Sequence, residues 1–213
     1  MSNLIKYPRT LHFPFSEGAT SDDKILNNTD HFIGKEIIIT EKMDGENSTI
    51  YKNSYHARSL DSSHKQYHSW LLAYIRNFQY LLPDDFRICG EYLYATHSIH
   101  YSNLNSYFLG FSVWEKERCL AWEETEEFLD RFGIETVPVL YKGVYNVEKI
   151  KKIAEDVVAR GGEGIVVRNI DSFEYKDFSK NVAKYVRENH VTTDDRWDQK
   201  AIVPNKLKKR IYN

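Results

Sequence analysis

The sequence predicts an α+β fold in which largely antiparallel sheets are flanked by a few helices. Three observations lead to this prediction. Short apolar segments with the character of strands follow one another in pairs, with turn residues between them. Three longer segments repeat apolar residues at the spacing of an amphipathic helix. The helical segments do not alternate regularly with the strands, which argues against a doubly wound parallel sheet.

Local signals predict each element in turn. Residues 1–30 hold prolines, Gly18 and paired asparagines that interrupt any period, so this stretch is expected to be irregular. Strands are predicted over residues 36–41, 47–52, 55–58, 86–95, 107–115, 136–141, 165–168 and 182–187. Helices are predicted over residues 64–82, 122–132 and 147–158. Pro83 and Gly133 end the first two helices, and Asn146 caps the start of the third.

Composition describes an ordinary globular protein, with 41% hydrophobic and 28% charged residues. The net charge of -2 creates no overall field for nucleic acid, so contact with a polyanion must depend on local patches. Cys89 and Cys119 lie in apolar segments, and we expect buried free thiols rather than a disulfide. The sequence has neither a signal peptide nor an apolar run of membrane-spanning length. We therefore expect a cytoplasmic protein that does not bind membranes.

The tetrapeptide Lys42-Met43-Asp44-Gly45 places a lysine where a strand gives way to a turn. An amine there can act as a covalent nucleophile if its surroundings lower its pKa or supply a base. Gly45 permits a tight turn close to a phosphate, and Asp44 supplies a carboxylate two residues from the amine. Taken alone, the tetrapeptide favours a simpler interpretation, a β-turn beside a solvated lysine.

Five later segments change that balance, because each places a distinctive residue on or beside an apolar strand. The segments span residues 56–59, 89–92, 108–113, 161–168 and 182–187. In the same order, the residues are Arg58, Glu91, Phe111, Glu163 and Lys184. Glu91 interrupts an otherwise apolar strand, whereas glycines on both sides of Glu163 leave room for a phosphate or an ion.

This order of motifs resembles the covalent nucleotidyltransferase superfamily of polynucleotide ligases and RNA capping enzymes. The motifs of that superfamily are K-x-D-G, a G-E strand, an aromatic strand, E-G followed by apolar residues and a cation, and a lysine-bearing strand. The chain is most similar to phage-type ATP-dependent RNA ligases, which share the arginine-serine pair after the nucleophile strand. The similarity runs from about residue 36 to residue 187. It implies a nucleotidyltransferase domain whose nucleotide cleft lies between the sheets.

The resemblance implies a reaction in three steps, each an in-line displacement at phosphorus. A lysine takes AMP from ATP, the AMP passes to a 5′-phosphate of the nucleic acid, and a 3′-hydroxyl displaces the AMP. Positioning and charge neutralisation are the main sources of catalysis in such reactions. The implied cofactors are ATP with Mg²⁺ or Mn²⁺, because a divalent ion can stabilise the attacking and leaving oxygens. The implied substrate is RNA.

Roles follow from the resemblance, residue by residue. Lys42 is the nucleophile, deprotonated with help from nearby cations and metal, and Asp44 orients it or binds a water. Glu91 contacts the ribose hydroxyl; the alternative is a buried structural acid paired with an arginine. Phe111 stacks on adenine, and core packing is an almost equal alternative. Glu163 helps to bind the catalytic metal; the alternative is an ordinary loop acid.

The basic residues of the candidate site complete this assignment. Arg58 contacts the sugar-phosphate; the alternative is an ordinary surface charge. Lys184 binds a phosphate. The family usually has a second lysine two positions after Lys184, where this chain has Val186. Arg187 is the nearest substitute, but on a flat strand it points to the opposite face from Lys184. A β-bulge would be needed to bring both cations inward.

A single domain is expected over residues 1–213, with a short basic tail at about residues 188–213, and the polar stretch 192–213 is expected to wrap back on the body. This basic tail is either a solvated end or a phosphate-backbone contact, and its cations are Lys206, Lys208, Lys209 and Arg210. Few residues follow Arg187, so we expect a minimal ligase that depends on a partner protein for substrate binding. Two alternatives stay open: a small DNA ligase, and a nucleotide- or RNA-binding module of the same fold without catalysis.

Overall fold

The computed structural model describes residues 4–60, 66–188 and 202–209. Within these residues the strands are β1 (Leu11–His12), β2 (Glu36–Lys42), β3 (Glu46–Tyr51), β4 (Tyr55–Ala57), β5 (Phe86–Tyr92), β6 (Phe108–Glu115), β7 (Arg118–Cys119), β8 (Val139–Val144), β9 (Gly164–Asn169), β10 (Phe173–Glu174) and β11 (Val182–Val186). The α-helices are α1 (Ser69–Ile75), α2 (Trp122–Asp130) and α3 (Val147–Ala159). Short 3-10 helices lie at Asp30–Phe32, Gln66–His68, Gln79–Leu81 and Tyr175–Lys180.

The strands form two sheets. The first has the order β1-β11-β9-β2-β8, and its neighbours are antiparallel except for the parallel pair of β1 and β11. The second has the order β10-β7-β6-β5-β3-β4 and is antiparallel throughout. The predicted α+β class with largely antiparallel sheets is confirmed.

Helices cover the apolar faces of both sheets. On α3, buried residues recur at helical spacing and pack against β2 and β9 in one core cluster. The predicted cap is present, since the Asn146 side chain accepts a hydrogen bond of 2.9 Å from the Lys149 amide. Helix α1 packs Leu71 and Ile75 into the core of the second sheet. No helix in the described part of the chain is long and apolar enough to cross a bilayer.

Two predicted elements differ from the structure. The helix predicted over 64–82 is α-helical only from Ser69 to Ile75; residues 64 and 65 lie outside the described residues. Asn77 accounts for the early end, because its side chain donates to the carbonyls of Ala73 and Tyr74, the acceptors that a continuing helix would use. Beyond it, Tyr80 and Leu81 are mostly exposed.

The strand predicted over 136–141 is found three residues later, as β8. Pro138 lacks an amide hydrogen, so it cannot donate within a sheet. Before it, Val137 pairs with Gly110 of the second sheet; after it, the chain joins the first sheet beside β2. Pro138 is thus the point at which the chain crosses from one sheet to the other.

Both cysteines are confirmed as buried free thiols. Burial raises the pKa of each thiol, that of Cys119 to about 11, so both stay protonated at neutral pH.

Candidate active site

A cavity of about 410 Å³ lies between the two sheets. Strands from both sheets contribute to its wall, and the N-terminal segment closes one side. The predicted residues on this wall are Lys42, Gly45, Arg58, Glu91, Phe111 and Lys184. Sequence reasoning therefore identified residues that lie far apart in the chain and meet in one place.

Lys42 and Glu163 form an ion pair at this cavity. Lys42 ends β2 and pairs in register with Gly164, the first residue of β9, so the preceding Glu163 lies beside it. The Nζ atom of Lys42 donates to the two Glu163 oxygens at 2.6 and 2.7 Å. Burial acts to lower the pKa of Lys42, but the negative charges of Glu163, Glu91 and Asp44 outweigh it and raise that pKa. Without ligand, the amine is therefore a protonated ammonium.

Two glycines allow the close backbone approach that this geometry needs. A Cβ on Gly164, whose φ is +154°, would lie 2.0 Å from the carbonyl oxygen of Tyr185 on β11. A Cβ on Gly45 would lie 2.5 Å from the carbonyl oxygen of Tyr92 at the end of β5. Real Cβ atoms do not come this close, so any other residue would push the strands apart. Both glycines hold neighbouring strands, and with them the site residues, in contact range.

Glu91 lies on β5 next to the turn of residues 42–45. Its Oε1 atom accepts a hydrogen bond of 3.2 Å from the Gly45 amide. Burial raises the pKa of Glu91 to about 8; the charge of Lys42 lowers it, and the acids Glu163 and Asp44 raise it further. The side chain is consequently protonated to a large extent at neutral pH, when it can both donate and accept a hydrogen bond.

Asp44 faces away from the cavity and binds the loop between β5 and β6 (residues 93–107). Its Oδ2 atom accepts hydrogen bonds from the Ser98 amide (2.7 Å), the Ser98 hydroxyl (2.8 Å) and the Ile99 amide (2.7 Å). The Asp44 amide donates to the Tyr101 hydroxyl at 2.9 Å. These contacts favour the orienting role among the two expected of Asp44, because Oδ2 already accepts three hydrogen bonds from the loop.

The cavity has a cationic side at which Lys184 is central. Burial and the nearby charge of Lys42 lower the pKa of Lys184 to about 8, against an opposing effect of Asp23. Arg58 is exposed at the cavity rim. Arg187 is not among the described residues that line the cavity. Strand β11 pairs with β9 without the bulge that would bring both cations inward. The Arg187 amide donates to the Glu163 carbonyl. The structure thus brings together Lys184 and Arg58 but not Arg187.

Aromatic side chains also line the cavity. Phe111 is half-buried and contacts Tyr7 edge-on, with 5.2 Å between ring centroids. Arg168 lies over the Trp122 ring and is 4% exposed. Its Nη2 atom donates to the Tyr7 hydroxyl at 3.4 Å, whereas Nη1 has no hydrogen-bond partner in the described part of the chain. A flat ligand with an acceptor atom would fit between these rings and this guanidinium.

Sequence reasoning missed one wall of the cavity. The residues from Tyr7 to Thr10 and Asp23 belong to the stretch expected to be irregular, and they line the site because β1 pairs with β11 next to Lys184. No local pattern could have revealed this pairing. Arg168 did leave a signal, a charge at the end of an apolar strand, but no role was inferred for it.

The residues present fit ATP better than they fit a metal alone. Cations on the cavity wall suit phosphates, and aromatic rings on the same wall suit a base. Among residues 4–60, 66–188 and 202–209, no three His, Cys, Asp or Glu side chains are grouped closely enough to hold a metal ion. A divalent ion here would take Glu163 together with oxygens from the phosphates, as Mg²⁺ commonly does.

Comparison with solved structures shows what this fold is similar to. An archaeal ATP-dependent RNA ligase has a TM-score of 0.55 and 17% identity, over 83% of this chain and 48% of that chain. A putative ATP-dependent DNA ligase from Aquifex aeolicus has a TM-score of 0.59 and 19% identity, over 86% and 50%. A mutant Naegleria gruberi RNA ligase with ATP and Mn has a TM-score of 0.55 and 18% identity, over 85% and 58%.

The chain spans about half the length of each of these ligases, and at such identities the matches show a shared fold. No curated protein matches the chain. The RNA ligase family, in contrast, matches residues 35–186, which is most of the sequence. This range contains the turn of residues 42–45, Glu91, Phe111, Glu163 and Lys184, so the chain belongs to the RNA ligase family.

Proposed function

We propose that the protein is an ATP-dependent RNA ligase that works through a covalent lysyl-AMP intermediate. The observation that carries this proposal is the position of Lys42 at a cavity whose wall also carries the cations Lys184 and Arg58 and several aromatic rings. The family supports ligase chemistry on nucleic acid. The ATP and Mn of the Naegleria structure support ATP and a divalent ion as cofactors.

The chemistry begins at the Nζ atom of Lys42. The resting ammonium must first lose a proton, and the Glu163 carboxylate is the base within hydrogen-bond distance. The Nζ lone pair then forms a bond to the α-phosphorus of ATP, while the bond to the bridging oxygen breaks and pyrophosphate leaves. Lys184 and Arg58 hold phosphate oxygens in place during this displacement. When bound, a divalent ion supplies positive charge that neutralises those oxygens.

The next two steps return the enzyme to its starting state. An oxygen of the 5′-phosphate attacks the phosphorus of lysyl-AMP, the P–N bond breaks, and the amine of Lys42 is restored. The 3′-hydroxyl then loses its proton and attacks the phosphorus of the activated 5′-phosphate. A phosphodiester bond joins the two ends, and AMP leaves. Within this scheme Glu91 binds the ribose hydroxyl and Phe111 stacks on adenine, both facing the same cavity.

The proposal extends to organisation and partners. We propose a single nucleotidyltransferase domain over residues 1–213, supported by the contribution of both sheets to one cavity. The proposed substrate is RNA with 5′-phosphate and 3′-hydroxyl ends. A partner protein that supplies substrate binding and a cytoplasmic location stay predictions from the sequence.

Covalent labelling tests the proposal directly. The protein is incubated with Mg²⁺ or Mn²⁺ and ATP labelled at the α-phosphate, then separated on a denaturing gel. We expect a labelled band that Lys42→Ala abolishes and Lys180→Ala, a change of an exposed lysine away from the cavity, retains. Labelled protein is then supplied with nicked duplexes that carry RNA or DNA at the nick.

Each outcome of this experiment has a distinct meaning. Labelling followed by sealing of RNA ends supports the RNA ligase. Labelling followed by sealing of DNA ends alone would favour the small DNA ligase. No label with any metal or at any pH would contradict an enzyme and favour a nucleotide- or RNA-binding module.

A further inference from the structure

The last described segment, residues 202–209, lies along the β5–β6 loop, and we call it the C-terminal strap. It pairs with the loop through two isolated bridges, one at Ala95 and one at Leu104. Five backbone hydrogen bonds of 2.8–2.9 Å join strap and loop, and they involve Thr96 with Val203, Tyr94 with Asn205, Tyr101 with Lys206, and Leu104 with Lys206 and Lys208. The sequence-based expectation that the tail wraps back is confirmed for these residues; the segments 189–201 and 210–213, with Arg210, lie outside the described residues.

Asn205 is the centre of the strap, and it is 1% exposed. Its Oδ1 atom accepts from the Tyr101 amide at 2.8 Å and from the Thr96 hydroxyl at 2.9 Å. Its Nδ2 atom donates to the Leu93 carbonyl at 2.8 Å and to the Ala95 carbonyl at 3.4 Å. One buried side chain therefore fixes both ends of the curve that the loop makes between residues 93 and 101.

The same curve holds the nucleophile turn from its other side. Three donors from Ser98 and Ile99 bind the Asp44 carboxylate, and the Tyr101 hydroxyl accepts from the Asp44 amide. Asp44 is two residues after Lys42. A continuous set of hydrogen bonds thus runs from Asn205 through the loop to Asp44, in the turn that follows Lys42.

We propose that Asn205 is a positioning residue for the nucleophile, and that the C-terminal strap holds Lys42 in line for attack. This inference rests on the proposed function, since it concerns the rate at which Lys42 takes AMP from ATP. Asn205 is not among the residues that line the cavity, so it acts through the loop and Asp44. Reactions of this kind are sensitive to small displacements: a shift of about 1 Å can cost roughly a hundredfold in rate.

Single-turnover labelling of the full chain over a range of ATP concentrations separates positioning from binding. We expect Asn205→Ala to lower the maximal labelling rate by about tenfold or more. The ATP concentration that gives half the maximal rate should stay within about threefold, because the substitution removes no side chain that lines the cavity. A general loss of structure would instead reduce the amount of active protein and leave the rate of the remainder unchanged.

Asn181→Ala serves as a matched control. Asn181 is also a buried asparagine with side-chain hydrogen bonds, to Asn169 and to the Asp177 carbonyl, and it touches neither loop nor strap. We expect a comparable fall in melting temperature with a labelling rate close to that of the wild type. If Asn205→Ala leaves the maximal rate unchanged, or if Asn181→Ala lowers it equally, the inference is overturned.

Two further variants keep the test informative if Asn205→Ala fails to fold. Thr96→Val removes one bond to Asn205 and should lower the maximal rate in the same direction by a smaller factor. Tyr101→Phe removes the acceptor for the Asp44 amide, and its effect should be smaller in the Thr96→Val background than in the wild type. If the two substitutions lower the maximal rate by independent factors that multiply, they do not act through one path, and the inference is contradicted. Absence of any label in the wild type would instead refute the proposed function itself.

Discussion

The Nζ atom of Lys42 lies 2.6 Å from a carboxylate oxygen of Glu163, although 121 residues separate the two in sequence. The antiparallel register of β2 and β9 creates this contact. Each partner compensates the charge of the other, which is why two ionised groups can share a site with little access to water. In this pair Lys42 is held as an ammonium, which has no lone pair for attack until it gives up a proton.

Glu163→Gln should therefore have two opposite effects on Lys42. Losing the carboxylate lets burial dominate, so the pKa of Lys42 falls. Reductive methylation followed by peptide mass spectrometry should show faster modification of Lys42 than in the wild type. Labelling with ATP should nevertheless fall by about a hundredfold, because a group that accepts the proton and helps to hold the metal is lost. The exposed-acid control Glu155→Gln should change neither result, and equal methylation in all three proteins would contradict the prediction.

The charge of Lys184 should limit activity at alkaline pH. Its pKa of about 8 means that it loses its positive charge, and with it its attraction for phosphate, as the pH rises through that value. Arginine stays charged throughout this range. In Lys184→Arg, kcat/KM for ATP relative to the wild type should increase as the pH is raised from 7 to 9.5. A ratio that is constant with pH would show that Lys184 does not contribute its charge to ATP capture.

Glu91 should make the protein less stable as the pH rises. The pKa of Glu91 is raised from 4.5 to about 8 in the folded state. Between these two pH values the folded protein keeps a proton on Glu91 that the unfolded chain has released. Stability from this group is present below about pH 4.5 and is lost as the pH rises to about 8. Glu91→Gln removes this dependence, so its melting temperature should exceed that of the wild type by more at pH 8.5 than at pH 6. A pH-independent difference would contradict the raised pKa.

Phe111 can be assigned to stacking or to core packing by comparing two variants. Base stacking on an aromatic side chain is worth about 1–3 kcal/mol by alanine substitution, so Phe111→Ala should raise KM for ATP by roughly 5- to 100-fold. Phe111→Leu restores apolar volume but not the ring. If Phe111 stacks on adenine, Phe111→Leu should recover the melting temperature while KM stays high. If Phe111→Leu recovers both the melting temperature and the wild-type KM for ATP, core packing would be favoured.

The sequence predicted those features that depend on neighbouring residues. The turn after β2 and the cap at Asn146 each have a local signal, and both are present. The residue pattern within the motifs, and the order of the motifs along the chain, also singled out Glu91 and Glu163. A carboxylate within or next to an apolar strand needs a partner or a function. Side chains alternate between the two faces of a strand, which indicated that Arg187 would point away from Lys184. Strand β11 contains no bulge that would change this.

The features that escaped prediction depend on contacts between distant segments. Helical periodicity continued past Ile75, but it could not reveal that the Asn77 side chain would replace the backbone donors. Asn205 is an ordinary polar residue in a basic tail until the loop that it binds is seen. Tyr7 reaches the cavity only because β1 pairs with β11, and nothing in the first 30 residues identifies that partner.

The parallel pairing of Leu11–His12 with Ala183–Lys184 has a consequence for biosynthesis. The two segments lie about as far apart in the chain as any that meet in the described structure, and closing so long a loop is slow. A ribosome must therefore have released residue 184 before the N-terminal segment can take its place beside the nucleotide cavity. A nascent chain arrested before that point would have Lys42 but no completed pocket, so capacity to react with ATP should arise abruptly and late in synthesis.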